Sequence, residues 1–349
     1  MQKHPDPALS VIVVTRDRIA TIRRLLDHLR RQTVIGDIEV VLVGPSANAL
    51  AGADAALAGF ACAQALVYEG AFTRGRGTEL GVRSARGEMI ALTEDHSYPD
   101  DTWAERMLAA ADARWAGVGA CVRNANPATA WSRVNHDLAY GRWSAQTAPG
   151  EIDDVPGFNS VFRRSLLLAL GHRLELLLDR VGALHQAVRD QGGQFTFNPD
   201  AALSHWSPST RWPSFRVWFS NGRCFGDYRA RHEGWSSGRR LAYGAAAPLV
   251  ALMRLRSHWR SMRLAGKNER ETVGYYIVLG LLISVIGLGE SYGYVAGEGK
   301  AIAFLNDFEF RRDRFLVDRD RDVFLAGRDA RADRGVLGLI EGCSDVERG

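Results

Sequence analysis

The sequence predicts a doubly wound, mostly parallel α/β sheet followed by a C-terminal, membrane-associated helical region. Three observations carry this expectation. Short β-branched runs alternate with helical stretches through the first 120 residues, with no hairpin turn signals between them. One such run stops at Glu94-Asp95-His96, the position beyond a strand end where open α/β sheets keep their ligand-binding groups. Beyond residue 206 the chain interleaves Trp with Arg and then offers 17 uncharged residues, Val273 to Gly289.

The elements follow in order. LSVIVV (9–14) is a short β-branched run, as expected for a parallel strand covered on both faces. IATIRRLLDHLRRQ places Ile19, Ile22, Leu25, Leu26 and Leu29 at helical spacing, with Arg on the other face. IEVVLVG (38–44) is a second strand closed by Gly44-Pro45, and QALVYEG (64–70) a third. FTRGRG reads as a Gly-flanked loop before the helix TELGVRSA (78–85), and EMIALTED (88–95) is the fourth strand. The stretch from 117 to 205 is more mixed: GVGACVRN as a strand, VPGFNSVFRRSLLLALG as loop, short strand and helix, LHQAVRDQGG as a helix with a Gly stop, and QFTFNPDAALSHW as an extended segment. Three regions result: a domain over 1–206, a basic Trp-rich helical region over 207–305, and a charged tail over 306–349, expected to be solvated and partly ordered, to which no chemistry is assigned.

Composition narrows the function classes. Of 349 residues, 46% are hydrophobic and 24% charged, which excludes wholesale disorder. Net charge is only +4, yet between Arg211 and Arg270 stand 13 Arg/Lys against three acids. Such a block faces something negative, and beside the apolar stretch an anionic membrane surface is expected rather than nucleic acid. Val273 to Gly289 suits a bilayer span, an in-plane or re-entrant helix, or a buried core helix. The four cysteines (62, 121, 224, 343) show no paired spacing, against a zinc ribbon or a disulfide scaffold. MQKHPDPALS has no apolar core of a secretory signal, so the cytoplasmic side of the membrane is expected. No G-x-G-x-x-G follows the first strand, against a dinucleotide-dependent dehydrogenase.

From LSVIVVTRDR through IEVVLVGPS, GVRSARGEMIALTEDHSYPDDTWAERML and VPGFNSVFRRSLL to DQGGQFTFNPDAALSH, the chain resembles the family 2 glycosyltransferases, with their GT-A nucleotide-diphospho-sugar transferase fold. The resemblance covers roughly residues 9 to 206, and ARGEMIALTEDHSYPD, which resembles the run into the family's acidic metal motif, is its most specific piece. It implies a bacterial inverting transferase on the cytoplasmic face of the inner membrane, working in cell-envelope or extracellular glycan synthesis. The donor would be a nucleotide sugar with Mg²⁺ or Mn²⁺, and the acceptor a glycan or lipid-linked hydroxyl. Asp95, His96 and His205 would hold the metal, with Glu94 beside them; Thr15 would meet the nucleotide base. Arg74 and Arg76 would hold phosphate, and Gly157, Asn159 and Arg163 would line the donor sugar and acceptor. The chemistry is apt: a departing diphosphate develops negative charge, and a cation clamped by carboxylates offsets it. Each residue also has a plainer reading, such as Asp95 capping the turn before Pro99, Thr15 satisfying a helix start, or His205 packing against Trp206.

The chain departs from the family pattern in three places. Gly44-Pro45 replace acidic or amide residues after the second strand, and Gly77-Thr78-Glu79 replace Ala-Arg-Asn. Where the Glu-Asp pair carrying the catalytic base is expected, the chain has Arg180-Val181. Asp179, one residue away, is taken as the base, with Asp153 or Asp154 as the alternative. The missing pair also admits a second reading, a degenerate, non-catalytic assembly or sugar-binding subunit.

Overall fold

The computed structural model describes residues 6–17, 19–264 and 273–326. In chain order the elements are β1 (Leu9–Val14), α1 (Arg23–Arg30), β2 (Ile38–Gly44), α2 (Ala53–Leu57), β3 (Cys62–Val67), α3 (Arg74–Ser84), β4 (Met89–Leu92), β5 (Ser97–Pro99) and α4 (Trp103–Ala110). Then come β6 (Trp115–Asn124), α5 (Ala130–Tyr140), β7 (Gly150–Ile152), β8 (Ser160–Arg163), α6 (Arg164–Ala169), α7 (Leu174–Leu178), α8 (Val181–Asp190) and β9 (Gln194–His205). The helices α9 (Arg211–His232), α10 (Ser237–Ala245), α11 (Ala247–Leu264), α12 (Val273–Ala296), α13 (Ala301–Phe310) and α14 (Asp318–Leu325) follow among the described residues.

One sheet runs β3-β2-β1-β4-β8-β6-β9-β5, with β7 on β9. The expectation of a mostly parallel sheet holds for its first half and needs correction beyond it. β3, β2, β1 and β4 are mutually parallel, but β8 lies antiparallel between β4 and β6, and β5 and β7 run antiparallel to β9. Alternation of apolar residues reports which face is buried, not which way a strand runs. Both faces are covered: Val11 and Val13 of β1 join the core beneath α1 and α4, while Ile12 and Val14 join the one beneath α3 and α6–α8.

Part of the ARGE stretch is structural. Arg86 donates from its backbone N and from Nε to the buried Glu39 carboxylate at 2.8 and 3.1 Å. Gly87 donates to Ser10 Oγ at 2.8 Å, where a Cβ would crowd the Ser10 backbone. The register of β1 against β4 is thereby fixed at the edge opposite the candidate site.

The C-terminal helices dock on this domain. α12 is longer than the uncharged run suggested, and its glycines lock it against α9: a Cβ on Gly222 or Gly226 would overlap the Ile286 or Glu290 carbonyl oxygen, and one on Gly289 or Gly293 those of Phe219 and Arg223. Small residues at i, i+4 spacing on both partners allow this backbone approach. Tyr275, Leu279 and Leu282 pack on Val134 of α5, and the Tyr275 hydroxyl donates to Asp137 at 2.8 Å.

The expected solvated tail is corrected over 306–326. Leu316 and Phe324 are fully buried in the main core, and Phe324 packs at a tilt against Trp206 with ring centroids 5.4 Å apart. Ser209 N and Thr210 Oγ1 both donate to the Phe315 carbonyl, and Asn126 donates to Asp320 at 2.8 Å. Aromatic residues between the charges supply the apolar contacts that hold this segment down. The rest of the predicted tail, with Cys343, lies outside the described residues; Cys62 and Cys224 are in no disulfide.

Candidate functional site

β4 delivers Glu94, Asp95 and His96 to the carboxyl edge of the parallel strands, and a turn from Glu94 O to Ser97 N at 3.1 Å reverses the chain into β5. β5 then pairs Ser97 with His205 at the end of β9, which brings the His96 and His205 rings to 4.9 Å. Two stretches more than 100 residues apart therefore meet because a three-residue strand sets their register.

Glu94 is the hub. Its Oε2 accepts from Asn159 Nδ2 at 2.9 Å, Ser97 Oγ at 3.2 Å and the Tyr140 hydroxyl at 3.2 Å. Burial, and then the facing Glu309, push its carboxyl up to about 7. Burial would raise Glu309 as well, but Arg312 and then Arg74 outweigh that and hold it below the usual carboxylate value. Burial and then Glu94 keep the Tyr140 hydroxyl protonated. Asn159 sits at φ 91°, a left-handed conformation Asn tolerates, and its N donates to Leu92 O at 2.6 Å. This backbone arrangement aims its amide at Glu94. Gly157, at φ 51°, is needed because a Cβ there would overlap Val181.

His205 is 3% exposed, and its Nε2 has no hydrogen-bond partner although it stands 3.5 Å from Glu94 Oε2. Burial, and then His96 and Arg312, hold its pKa well below the ordinary value, so the ring is neutral. His96 Nδ1 pairs with Asp95 Oδ1 at 2.8 Å, which turns its Nε2 toward Glu94 Oε2, 3.6 Å away. Ligand atoms of Glu94, His96 and His205 all lie within 4.8 Å of one another. One carboxylate and two imidazoles, one carrying an orphaned nitrogen, fit a transition-metal divalent cation such as Mn²⁺. Asp95, expected among the metal ligands, is engaged with His96 Nδ1, and Glu94 is the carboxylate that shares the cluster with the two imidazoles.

Two guanidiniums complete the cluster. Arg74 opens α3 rather than standing on a loop, stacks 4.1 Å over Phe158, and reaches Glu94 at 3.7 Å and Glu309 at 3.5 Å. Arg312 stacks 4.0 Å over Phe308 and donates to Glu309 at 3.0 Å and to His96 Nε2 at 2.7 Å. Neither Glu309 nor Arg312 was legible in the sequence, nor was Tyr140. A cavity of about 370 Å³ opens beside them, lined by Arg74, Glu94, Tyr140, Asp154, Gly157, His185, Glu309 and Arg312.

The other expected residues divide. Arg76 is turned to Glu175 at 2.8 Å and does not line this cavity. Thr15 is buried, with its hydroxyl 3.2 Å from that of Thr21. Arg163 pairs with Glu88 at the far end of β8. Asp179 accepts from Gly75 N at 2.9 Å, tying α7 to the start of α3, and does not line the cavity. Asp154 does line it: Oδ2 accepts from Arg142 at 3.0 Å, Oδ1 is buried without a hydrogen bond, and burial raises its pKa.

Residues 10–171 match the family model described as Glycosyl transferase family 2. Among solved structures, the chain is similar to the mannosyltransferase PcManGT from Pyrobaculum calidifontis in complex with GDP-Man and Mn²⁺, at 16% identity and a TM-score of 0.48, over 87% of this chain and 88% of that one. No curated protein matches the chain significantly.

Proposed function

Residues 10–171 of this chain are a family 2 glycosyltransferase domain, and from that premise we propose an inverting transferase that moves a sugar from a nucleoside-diphosphate sugar to a hydroxyl acceptor. The observation that carries this reading is the convergence of Glu94, His96 and His205, with Glu94 and Arg74 lining the adjacent cavity beyond the strand ends and the two imidazoles buried behind Glu94. Glu94, His96 and His205 would hold a Mg²⁺ or Mn²⁺ ion whose charge offsets that of the departing diphosphate. Arg74 contributes a second positive charge to the same leaving group. The acceptor oxygen forms its bond to the anomeric carbon as the bond to the diphosphate oxygen breaks on the opposite face. Asp154 takes the acceptor proton, a role supported by its buried, unpaired Oδ1 and raised pKa.

The acceptor is proposed to be a glycan or lipid-linked hydroxyl of the cell envelope, met at the cytoplasmic face of the membrane. Exposed Leu249, Leu252 and Met253 on α11 and Ile277, Leu281 and Leu288 on α12 support docking on a bilayer surface. α12 is long and apolar enough to cross a membrane, but half of its most apolar window is buried against the protein, which favours the surface over a crossing. The non-catalytic alternative draws on Asp179, whose carboxylate is engaged with α3.

Thermal denaturation with GDP, UDP and their sugars, each with and without Mn²⁺, tests this reading. Stabilisation by one nucleotide that needs the metal and disappears in Glu94→Gln is the expected result. Donor hydrolysis by the purified protein separates enzyme from binding subunit, and a chain stabilised by no nucleotide under any condition defeats both.

A further inference from the structure

Resting on the donor-site reading above, we propose that Arg312 is an exchange ligand: in the free protein its guanidinium occupies the metal-facing nitrogen of His96, and in the donor complex it passes to the diphosphate. With Nδ1 directed at Asp95, His96 has one lone pair on Nε2, and Arg312 Nη2 holds it at 2.7 Å. That lone pair cannot accept from Arg312 and bind a cation together. Metal loading through His96 therefore requires Arg312 to let go.

The residue has somewhere to go. Arg312 is 4% exposed and lines the 370 Å³ cavity, and its Nε is buried with no hydrogen-bond partner. Arg74, on the same wall, also has a buried, unpartnered Nε. Two guanidiniums, each stacked on a phenyl ring and each short of an acceptor, suit the paired oxygens of a diphosphate. Flanking packing of Phe308 and Phe315 anchors the segment, so the exchange needs only side-chain rotation.

Charge links the two events. A divalent ion entering alone meets two guanidiniums and must break the His96 contact. With a nucleoside diphosphate present, Arg312 moves onto new anionic oxygens and the same ion meets less repulsion. Metal and nucleotide should therefore bind with strong positive coupling, and Arg312 should carry much of it.

Mn²⁺ binding to the full chain, followed by electron paramagnetic resonance with and without GDP or UDP, tests this without any turnover. In the native protein the nucleotide should tighten Mn²⁺ by about tenfold or more. Arg312→Gln should bind Mn²⁺ alone about tenfold tighter than the native chain, bind the nucleotide more weakly, and lose most of the coupling. Arg312→Lys, which keeps the charge without the planar fork, should fall between the two and serves if the Gln variant melts early. Unchanged Mn²⁺ affinity and unchanged coupling in both variants overturns the exchange while leaving the donor site standing. A native chain that binds neither Mn²⁺ nor nucleotide overturns the donor site itself.

Discussion

Glu94 Oε2 and His205 Nε2 face each other at 3.5 Å, and the imidazole nitrogen has no hydrogen bond of its own. A buried polar atom left in this state is costly unless a ligand completes it. His205→Ala removes the orphan but leaves a cavity beside Tyr140 and His96, so it should be destabilised in chelator and should also lose Mn²⁺-dependent stabilisation. Calorimetric titration with Mn²⁺ checks this; retention of native Mn²⁺ affinity would remove His205 from the site.

Asp154 and Asp179 should separate cleanly. Asp154→Asn is expected to lower turnover by about 100-fold or more with donor affinity nearly unchanged. Asp179→Asn should instead weaken the cap on Gly75 N and cost roughly 1–2 kcal/mol of stability. Steady-state kinetics beside chemical denaturation distinguishes them, and the reverse pattern would return the base to Asp179.

His185 sets a pH dependence of stability. It is stacked on Phe162 and edge-on to Phe195, and burial, then Arg189 and Arg142, lower its pKa to about 3. The unfolded chain takes up this proton near 6.5 and the folded chain only near 3, so the unfolded state binds more protons between those values. Stability from this group is complete above the unfolded pKa and is lost as pH falls through that window, by several kcal/mol to order of magnitude. His185→Phe should flatten that limb relative to the native chain in denaturant titrations at pH 4, 5.5 and 7. Parallel curves would mean the ring is solvated.

Gly222→Ala should be costly and Gly280→Ala should not. The first pushes a methyl into the Ile286 carbonyl, an overpacking worth about 1–3 kcal/mol; the second has open space around it in a helix, where Ala is favoured. Thermal melts of the two variants check this, and equal melting temperatures would refute the close α9–α12 contact.

Membrane docking is expected to depend on the exposed face of α11. Leu252→Asp combined with Met253→Asp should reduce co-sedimentation with vesicles containing anionic lipid, without changing the melting temperature, since both side chains are exposed. Binding unaffected by these charges would place the contact elsewhere.

The sequence made the strand ends legible because β1, β2 and β4 are short apolar runs with abrupt ends: β1 and β2 start and stop as expected, and β4 covers Met89–Leu92 of the expected 88–95. The run into Glu94-Asp95-His96 marked one strand end directly, while His205, Arg74, Gly157 and Asn159 were singled out through the resemblance to the family pattern. Arg312 and Glu309 were not, because their contact with His96 spans more than 200 residues and leaves no local spacing. The available signal was Phe304, Phe308, Phe310 and Phe315 among the charges, an apolar periodicity that a solvated tail does not need. The antiparallel entry of β8 was hidden for another reason: a buried strand looks the same read in either direction.

The return of Phe324 onto Trp206 bears on how this protein can be divided. A fragment ending at residue 206 would retain every side chain of the strand-end motif and so look like a finished catalytic unit. Yet it would present a bare indole where the ring contact had been, and it would be short one carboxylate and one guanidinium at its centre. Minimal versions for crystallography or engineering should therefore run through residue 326, keeping the polypeptide that closes the molecule on itself.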